Sequence, residues 1–210
     1  YENFPIVAIE KLKTVLEQNP TLKGLNVTIP YKEQVVPFLY ESNQIVKEIK
    51  ACNCLKFIDG KLFGYNTDVT AFEFSLKKQL QAHHKKALVL GTGGAAKATG
   101  FVLKKLNIEY LNVSRKSSAE SLNYAQITPA IFSEYNLIIN TTPLGMYPNI
   151  GQAPAIPYEL ITPEHFLFDL IYNPEKTLFL QRGAEKGAMI KNGYEMLVMQ
   201  AEESWRIWNQ

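Results

Sequence analysis

The chain has little of several features that mark particular classes of protein. Its 22 basic and 20 acidic residues give a net charge of only +2, and like charges form no long runs, so neither a nucleic-acid track nor a polybasic membrane surface is indicated. It has no apolar run of about 18 residues, and we expect no membrane-spanning helix. The 210 residues are ample for a packed core in one or two domains. These features favour a cytoplasmic protein that acts on small molecules.

Cysteine and histidine are also scarce, with two and three residues respectively. Cys52 and Cys54 are two positions apart on a strand-like segment, so their side chains share a face but do not easily close an unstrained disulfide. A structural zinc site needs a second pair of ligands, and His83 and His84 lie in a polar stretch without a third ligand nearby. We therefore expect reduced thiols, solvent-exposed histidines at a domain boundary and no bound metal.

The strongest local signal is a strand, a tight turn and a helix around a group of glycines. The apolar run Ala87–Leu90 predicts a buried parallel strand, and the apolar spacing after the glycines is that of a helix. Between them, Gly91-x-Gly93-x-x-Ala96 fits the dinucleotide-binding fingerprint, in which phosphates bind free N–H groups at the helix start. The spacing alone also fits an ordinary glycine-rich turn. The candidate cofactor ligands here are Gly91, Gly93, Gly94 and Ala95.

Three further strand-like segments follow the glycine turn, with helical spacing between them. Together with the first strand they predict an α/β fold with a Rossmann-type doubly wound parallel sheet. The three segments are residues 108–113, 136–140 and 166–170.

Polar residues follow two of these strands, at the sheet edge where open α/β folds bind their ligands. Ser114, Arg115 and Lys116 stand where NAD-binding domains place an acidic residue for the ribose 2′-hydroxyl. Two cations at this place favour the 2′-phosphate of NADP, and a solvated turn is the alternative interpretation. Thr141 and Thr142 follow the next strand and are further candidate cofactor ligands.

The first 81 residues predict a second, smaller α/β lobe. Extended runs on either side of Asp59-Gly60 are typical of a hairpin, and a helix with Thr67 as its N-cap follows them. Helical spacing and one more extended run occupy the earlier part of this lobe. The predicted helices cover residues 6–18, the residues after Pro30 and a segment around 45–49, and the predicted strand covers 22–29.

Five short motifs occur in order along nearly the whole chain. They are Gly24-x-Asn26-Val27-Thr28-x-Pro30-x-Lys32, Gly64-x-Asn66-Thr67-Asp68, Gly91-x-Gly93-Gly94-Ala95, Asn140-Thr141-Thr142-Pro143 and Gly193-x-x-Met196-Leu197-x-x-Gln200. Each motif is loose, but their number and order resemble the shikimate dehydrogenase family. The resemblance implies NADP-linked, reversible reduction of 3-dehydroshikimate to shikimate in aromatic amino-acid biosynthesis. It also implies a substrate lobe and a Rossmann lobe with the active site in the cleft between them.

The resemblance further implies roles for single residues. Lys32 and Asp68 are implied to contact substrate hydroxyls, where one of them handles the proton that accompanies hydride transfer. Without the motifs, a solvated lysine and a helix-start aspartate would explain both residues. The implied substrate ligands are Thr28, Asn53, Tyr172 and Gln200, and a core tyrosine is the alternative for Tyr172. Gly193 and Met196 are implied to lie at the cofactor, the latter in the nicotinamide pocket.

We expect three segments with distinct tasks: a substrate lobe over residues 1–81, an NADP-binding Rossmann domain over 82–192, and a C-terminal helix over 193–210 that packs back on the substrate lobe. Family members begin with a strand and helix that carry a pair of serines for the substrate carboxylate. No Ser-x-Ser precedes the first motif here. We therefore expect that this first strand and helix were truncated or omitted from the chain.

Two alternative functions fit the same residues. One is a broader enzyme that also accepts quinate, often with NAD, against which Arg115 and Lys116 argue. The other is a nucleotide-binding regulator without turnover, against which the presence of both Lys32 and Asp68 argues. The expected partners are a small-molecule substrate and NADP, without nucleic acid or membrane, in a monomer or a homodimer.

Overall fold

The computed structural model describes residues 2–210, so Tyr1 lies outside the described part of the chain. These residues divide into two compact units. The first unit contains the residues up to Thr67 together with Ala201–Gln210, and the second contains Asp68–Gln200. The domain boundaries expected from the sequence stay predictions. Within residues 2–210, no helix combines the length and the apolar character that crossing a membrane requires.

A small mixed sheet forms the centre of the first unit. The elements are α1 (Leu12–Gln18), β1 (Gly24–Asn26), β2 (Glu41–Ser42), α2 (Gln44–Ile49), β3 (Cys54–Ile58) and β4 (Lys61–Tyr65). The strand order is β1-β3-β4-β2, with antiparallel pairs except for the parallel pair of β2 and β4. The predicted hairpin is confirmed, because Asp59 and Gly60 connect β3 and β4 with positive φ angles of 49° and 73°.

Two predicted elements of the first unit differ from the structure. Between Pro30 and β2 the described residues form no α-helix, and only a short 3-10 helix is present at Val36–Phe38. Pro37 has no N–H to donate and the valines around it are β-branched, so this segment is a poor α-helix. The strand expected over residues 22–29 is limited to Gly24–Asn26, the part that pairs with β3.

Both cysteines lie in the interior of the first unit. They are buried, and neither forms a disulfide in the described part of the chain. Burial raises the pKa of the Cys54 thiol to about 11, so this group stays protonated at neutral pH. Cys52 packs in an apolar core with Leu12 of α1, Val46 of α2 and Leu55 of β3, together with Ile9 and Val35.

The second unit alternates strands and helices. Its elements are α3 (Thr67–Lys77), which begins at the last residue of the first unit, β5 (Lys86–Leu90), α4 (Gly94–Lys105), β6 (Glu109–Ser114), β7 (Ser121–Asn123), α5 (Pro129–Glu134), β8 (Leu137–Asn140), β9 (Phe166–Asp169), α6 (Leu178–Glu185), β10 (Met189–Lys191) and α7 (Tyr194–Trp208), which continues into the first unit. The four strands predicted from apolar runs are confirmed as β5, β6, β8 and β9. The two short strands β7 and β10 were not predicted. Thr67 is the first residue of α3 rather than its N-cap.

All strand pairs in the sheet of the second unit are parallel, and the order is β10-β9-β8-β5-β6-β7. Counted from β5, this is the doubly wound order of a Rossmann fold, which confirms the predicted fold class. The order reverses between β5 and β8. Ligands of such sheets bind at the carboxyl ends of the strands beside this point.

The prediction of solvent-exposed histidines is wrong for His84. Its ring is 1% exposed, and Nδ1 accepts a hydrogen bond from the Gln81 N–H at 3.0 Å. The ring centroid lies 5.6 Å from that of Phe166 on β9. Burial, with a smaller effect of the neighbouring His83, lowers the pKa of His84 to about 4. The polar stretch before β5 therefore contributes to the interior.

Burial of neutral His84 predicts that stability depends on pH. Between about pH 4 and pH 6.5 the unfolded chain binds a proton that the folded protein excludes, so stability is full above this window and falls as the pH decreases through it. His84→Asn keeps an acceptor for the Gln81 N–H. In the wild type we expect this effect to make the free energy of unfolding about 2 kcal/mol lower at pH 5 than at about pH 6.5. The His84→Asn variant should lack this decrease, as measured by urea unfolding at the two pH values.

His83→Asn is the matched control, because the His83 side chain is 36% exposed. Other titrating groups, which are common to the wild type and both variants, cancel in the comparison. The control should retain most of the pH dependence of the wild type, because His83 lowers the pKa of His84 less than burial does. Equal pH dependence in the wild type and the His84→Asn protein would contradict the prediction.

Candidate functional site

The predicted site residues of the second unit gather along one edge of its sheet. Gly91 follows β5, Ser114 ends β6, Thr141 follows β8, Tyr172 follows β9 and Gly193 follows β10. Because the strands are all parallel, their carboxyl ends meet at the same edge. Residues that are far apart in the sequence therefore lie along the same edge of the sheet.

The glycine turn after β5 leaves the start of α4 open. Gly91 has a φ of 120°, and a side chain on it would collide with Oγ1 of Thr141, which itself donates a hydrogen bond to the Leu90 carbonyl at 2.7 Å. Gly93 is the N-cap of α4, and a Cβ on it would have no neighbour within 4 Å. No side chain of the described residues caps this helix.

Gly94 and Ala95 form the first turn of α4, so their N–H groups face this open space. The positive end of the helix dipole and uncapped N–H groups are what a diphosphate needs from a protein. The geometry of the turn therefore fits a dinucleotide.

A cavity of about 410 Å³ opens at the carboxyl end of β6. Lys97 on α4 and Lys116 supply positive charge to its lining, and Glu120 supplies negative charge. Ser114 Oγ donates a hydrogen bond to the Lys116 carbonyl and lies 3.3 Å from Ser121 Oγ. Hydroxyls and ammonium groups together suit a phosphate ester.

Of the three residues predicted here, Ser114 and Lys116 line this cavity and Arg115 does not. Arg115 is exposed, and its charge acts on the hydroxyl of Tyr124, whose pKa burial raises. Sequence reasoning missed Lys97 and Ser121. The sequence does contain a signal for Lys97, because this residue lies about one turn into the helix of the dinucleotide-binding fingerprint. The sequence contains no such signal for Ser121, because the position of this residue depends on the parallel pairing of β7 with β6.

The loop after β8 is held by its own side chains. Asn140 is fully buried, and its Oδ1 accepts hydrogen bonds from the N–H of Thr142 at 3.0 Å and from Thr142 Oγ1 at 2.6 Å. Thr141 is fixed in turn by its bonds to Leu90. Both predicted threonines therefore have defined positions next to the glycine turn.

Two predicted residues lie at the ends of β9 and β10. Tyr172 is 47% exposed, so the alternative of a core tyrosine is wrong. Gly193 donates its N–H to the Ile171 carbonyl at 3.0 Å, and a side chain on it would collide with the Leu170 backbone. The glycine is therefore required for close approach of two loops.

Met196 and Gln200 are one turn apart on α7. Met196 is buried, and Nε2 of Gln200 donates to the Leu197 carbonyl at 2.9 Å. Their spacing places them on the same helix face. Their predicted roles in binding stay predictions.

In the first unit, Thr28, Lys32 and Asn53 lie on adjacent backbone segments. The Lys32 carbonyl accepts the Cys52 N–H at 2.7 Å, and the Asn53 carbonyl accepts the Val27 N–H at 2.8 Å. Thr28 is exposed and begins a turn in which its carbonyl accepts the Tyr31 N–H at 2.9 Å. The backbone segments that carry three of the predicted site residues therefore lie next to one another.

A cavity of about 960 Å³ lies beside β1, the edge strand of the small sheet. Thr28 lines it, and Lys32 and Asn53 do not. Its walls come mainly from the residues before α1, from β1 and from the residues that follow β1, with Leu12 and Val15 of α1.

The Asn53 side chain makes structural contacts that the sequence did not predict. Its Oδ1 accepts the Thr67 N–H at 2.7 Å, and its Nδ2 donates to Thr67 Oγ1 at 3.0 Å. Thr67 Oγ1 also lies 3.2 Å from Ser204 Oγ. Asp68, which is 7% exposed, is the next residue in the chain. Asn53 therefore helps to fix the start of α3, where Asp68 lies.

Metal ligands do not form a cluster in the described part of the chain, where no three His, Cys, Asp or Glu side chains are grouped suitably. The candidate site residues carry amino, carboxyl, amide and hydroxyl groups. These groups can bind a polyhydroxylated substrate and move protons.

Comparisons with known proteins identify relatives of this chain. A family model described as shikimate dehydrogenase substrate binding domain matches residues 1–55. The shikimate dehydrogenase (NADP(+)) of Caldicellulosiruptor bescii is 38% identical over 99% of this chain and 78% of that protein. Shikimate dehydrogenase 1 from Peptoclostridium difficile has a TM-score of 0.87 at 35% identity, covering 100% of this chain and 80% of its own.

A solved complex of the Thermus thermophilus shikimate 5-dehydrogenase with NADP(H) and shikimate is also similar. Its TM-score is 0.80 at 29% identity, over 96% of this chain and 79% of that one. Identity above 30% extends over most of the length of both proteins in the Caldicellulosiruptor bescii comparison. The chain belongs to the shikimate dehydrogenase family.

Proposed function

We propose that this protein catalyses the NADP-dependent, reversible reduction of 3-dehydroshikimate to shikimate. The observation that carries the proposal is the open start of α4 next to a cavity lined by lysines and serines at the end of β6. One region suits a diphosphate and the other a ribose phosphate. Family membership and the relatives that bind NADP(H) and shikimate support the same reaction.

The residues present would hold NADP in a definite order. The N–H groups of Gly94 and Ala95 would bind the diphosphate, and Ser114, Arg115 and Lys116 the 2′-phosphate. Thr141, Thr142, Gly193 and Met196 would lie towards the nicotinamide end. When bound, the reduced cofactor supplies the hydride.

The protein must manage a proton while the hydride is transferred. Reduction adds hydride to the carbonyl carbon of the substrate and a proton to its oxygen, so negative charge develops on that oxygen. We assign the stabilisation of this charge and the proton transfer to Lys32 and Asp68. Thr28, Asn53, Tyr172 and Gln200 would orient the other substrate groups.

A test of four substrate and cofactor combinations examines the proposal directly. We expect the near-ultraviolet absorbance of NADPH to rise when shikimate and NADP are mixed with the purified protein. NAD in place of NADP should give a much lower kcat/KM because the site at β6 favours a phosphate. We also expect shikimate to be preferred over quinate. Comparable rates with quinate and NAD would support the broader enzyme. Binding of NADP without turnover would support a regulator.

We further propose a cytoplasmic location, which the two free thiols support. Fractionation of cells that produce the protein tests this location. The expected assembly, a monomer or a homodimer, stays a prediction that sedimentation of the purified protein tests.

A further inference from the structure

A buried carboxylate lies at the end of β9, next to the predicted nucleotide site. Asp169 is fully buried and accepts three hydrogen bonds. Its Oδ1 accepts from Asn140 Nδ2 at 3.0 Å and from the Ile171 N–H at 3.1 Å, and its Oδ2 accepts from Thr177 Oγ1 at 2.6 Å. These bonds connect the ends of β8 and β9 with the start of α6.

Asn140 transmits the position of this carboxylate to the loop after β8. Its amide nitrogen faces Asp169, so its oxygen faces the N–H and the hydroxyl of Thr142. A flipped amide would point its NH₂ group at the Thr142 N–H and its oxygen at the carboxylate, which opposes donor to donor and acceptor to acceptor. Asp169 therefore determines which way Asn140 points, and Asn140 determines where Thr142 lies.

The other two bonds of Asp169 fix neighbouring segments. The Ile171 N–H begins the loop that carries Tyr172. Thr177 is fully buried, and its hydroxyl also accepts the Leu180 N–H at 3.4 Å as the N-cap of α6. One carboxylate thus organises two loops of the candidate site.

The surroundings of Asp169 are neutral groups that donate hydrogen bonds. Burial raises the pKa of Asp169 to about 7, while the three hydrogen bonds act in the opposite direction. The charge of Asp169 also affects one titratable neighbour, Tyr158. Burial is the main cause that raises the pKa of Tyr158, and the Asp169 charge raises it further. The Arg182 guanidinium lies 4.7 Å from the Tyr158 ring centroid. Burying a carboxylate without a cation bonded to it costs stability, so packing alone does not account for its presence.

We propose that Asp169 is a positioning residue that acts through Asn140 to hold Thr142, and with it the loop after β8, in the geometry that binds the nucleotide. The role rests on the proposed function, since it assigns Thr142 to the cofactor. Asp169 itself touches neither substrate nor cofactor in this role.

The Asn140→Asp variant tests the Asp169–Asn140 pair through the pH dependence of kcat/KM. The variant places a second carboxylate about 3 Å from Asp169, and two such groups share one proton at low pH and repel each other once both ionise. We expect the ratio of kcat/KM between variant and wild type to be near one at acidic pH. The ratio should fall by about tenfold or more as the pH rises through the apparent pKa of the pair. A ratio that does not change with pH would overturn the proposal.

Thr177 supplies a second test that does not add a charge. Thr177→Val removes one hydrogen bond to Asp169 and should lower kcat/KM about tenfold, while Thr177→Ser retains the hydroxyl and should restore most of it. Thr99→Val is the matched control, because Thr99 is 1% exposed and its hydroxyl has no partner among the described residues. If Thr177→Val behaves like Thr99→Val, the proposal is wrong.

Nucleotide binding separates failure of this proposal from failure of the proposed function. A wild type that binds NADP but has no turnover would contradict the proposed function only. In that case the NADP affinity of Asn140→Asp, measured by calorimetry, should still weaken as the pH rises. Affinity equal to that of the wild type at every pH would overturn the positioning role whether or not the protein is active.

Discussion

Lys32→Ala should lower kcat for the oxidation of shikimate by about 10² to 10⁴, with a much smaller change in KM. The reason is that an ammonium group beside the reacting oxygen interacts more strongly with the charge that develops in the transition state than with the ground state. The Lys32 backbone is fixed by the Cys52 N–H, so the substitution removes the side chain without removing a backbone anchor. Steady-state kinetics at saturating NADP measure the effect.

Lys47→Ala is the matched control for this prediction. Lys47 is an exposed lysine on α2 of the same unit, and its removal should leave kcat unchanged. The pH profile of kcat then distinguishes two roles for Lys32. A rising arm that is lost in Lys32→Ala indicates a general base, and a flat profile indicates a permanently charged donor.

One kinetic outcome would remove Lys32 from the mechanism. If kcat matched the wild type while KM rose about a hundredfold, the side chain would contribute only uniform binding of substrate and transition state. Asp68 would then be the remaining candidate for proton transfer.

Arg115→Ala should weaken NADP binding by about one to two powers of ten, or roughly 1.5 to 3 kcal/mol, and should barely change NAD binding. Arg115 is the first residue after β6, between Ser114 and Lys116, which line the cavity at the end of this strand. A phosphate dianion present only in NADP would lose a charge-assisted hydrogen bond in the variant. Titration calorimetry with both cofactors measures the difference.

Two comparisons make the Arg115 test specific. Lys186→Ala removes an exposed positive charge at the end of α6 and controls for the loss of net charge. Lys116→Ala removes a cation that does line the cavity. An equal loss of NADP and NAD affinity in Arg115→Ala would mean that the arginine stacks on the adenine or supports the fold, and does not read the phosphate.

Local patterns in the sequence determined much of the second unit. The buried strands, the glycine turn and the helix after it depend on residues that are close together in the chain, so apolar periodicity and glycine spacing are sufficient to predict them. The hairpin at Asp59-Gly60 in the first unit was also predictable from local sequence, because two adjacent positive φ angles require particular residues. The parallel sheet then places the polar ends of these strands at one edge.

Tertiary structure alone decided the contacts between residues far apart in the chain. Asn53 meets Thr67, and Asp169 meets Asn140 and Thr177, through single polar atoms that leave no periodic signal. His84 looks like a surface residue in its polar stretch, yet it is buried against Phe166 on a different strand. Hydrogen bonds and burial of this kind depend on which strands become neighbours, and that is settled only when the whole sheet assembles.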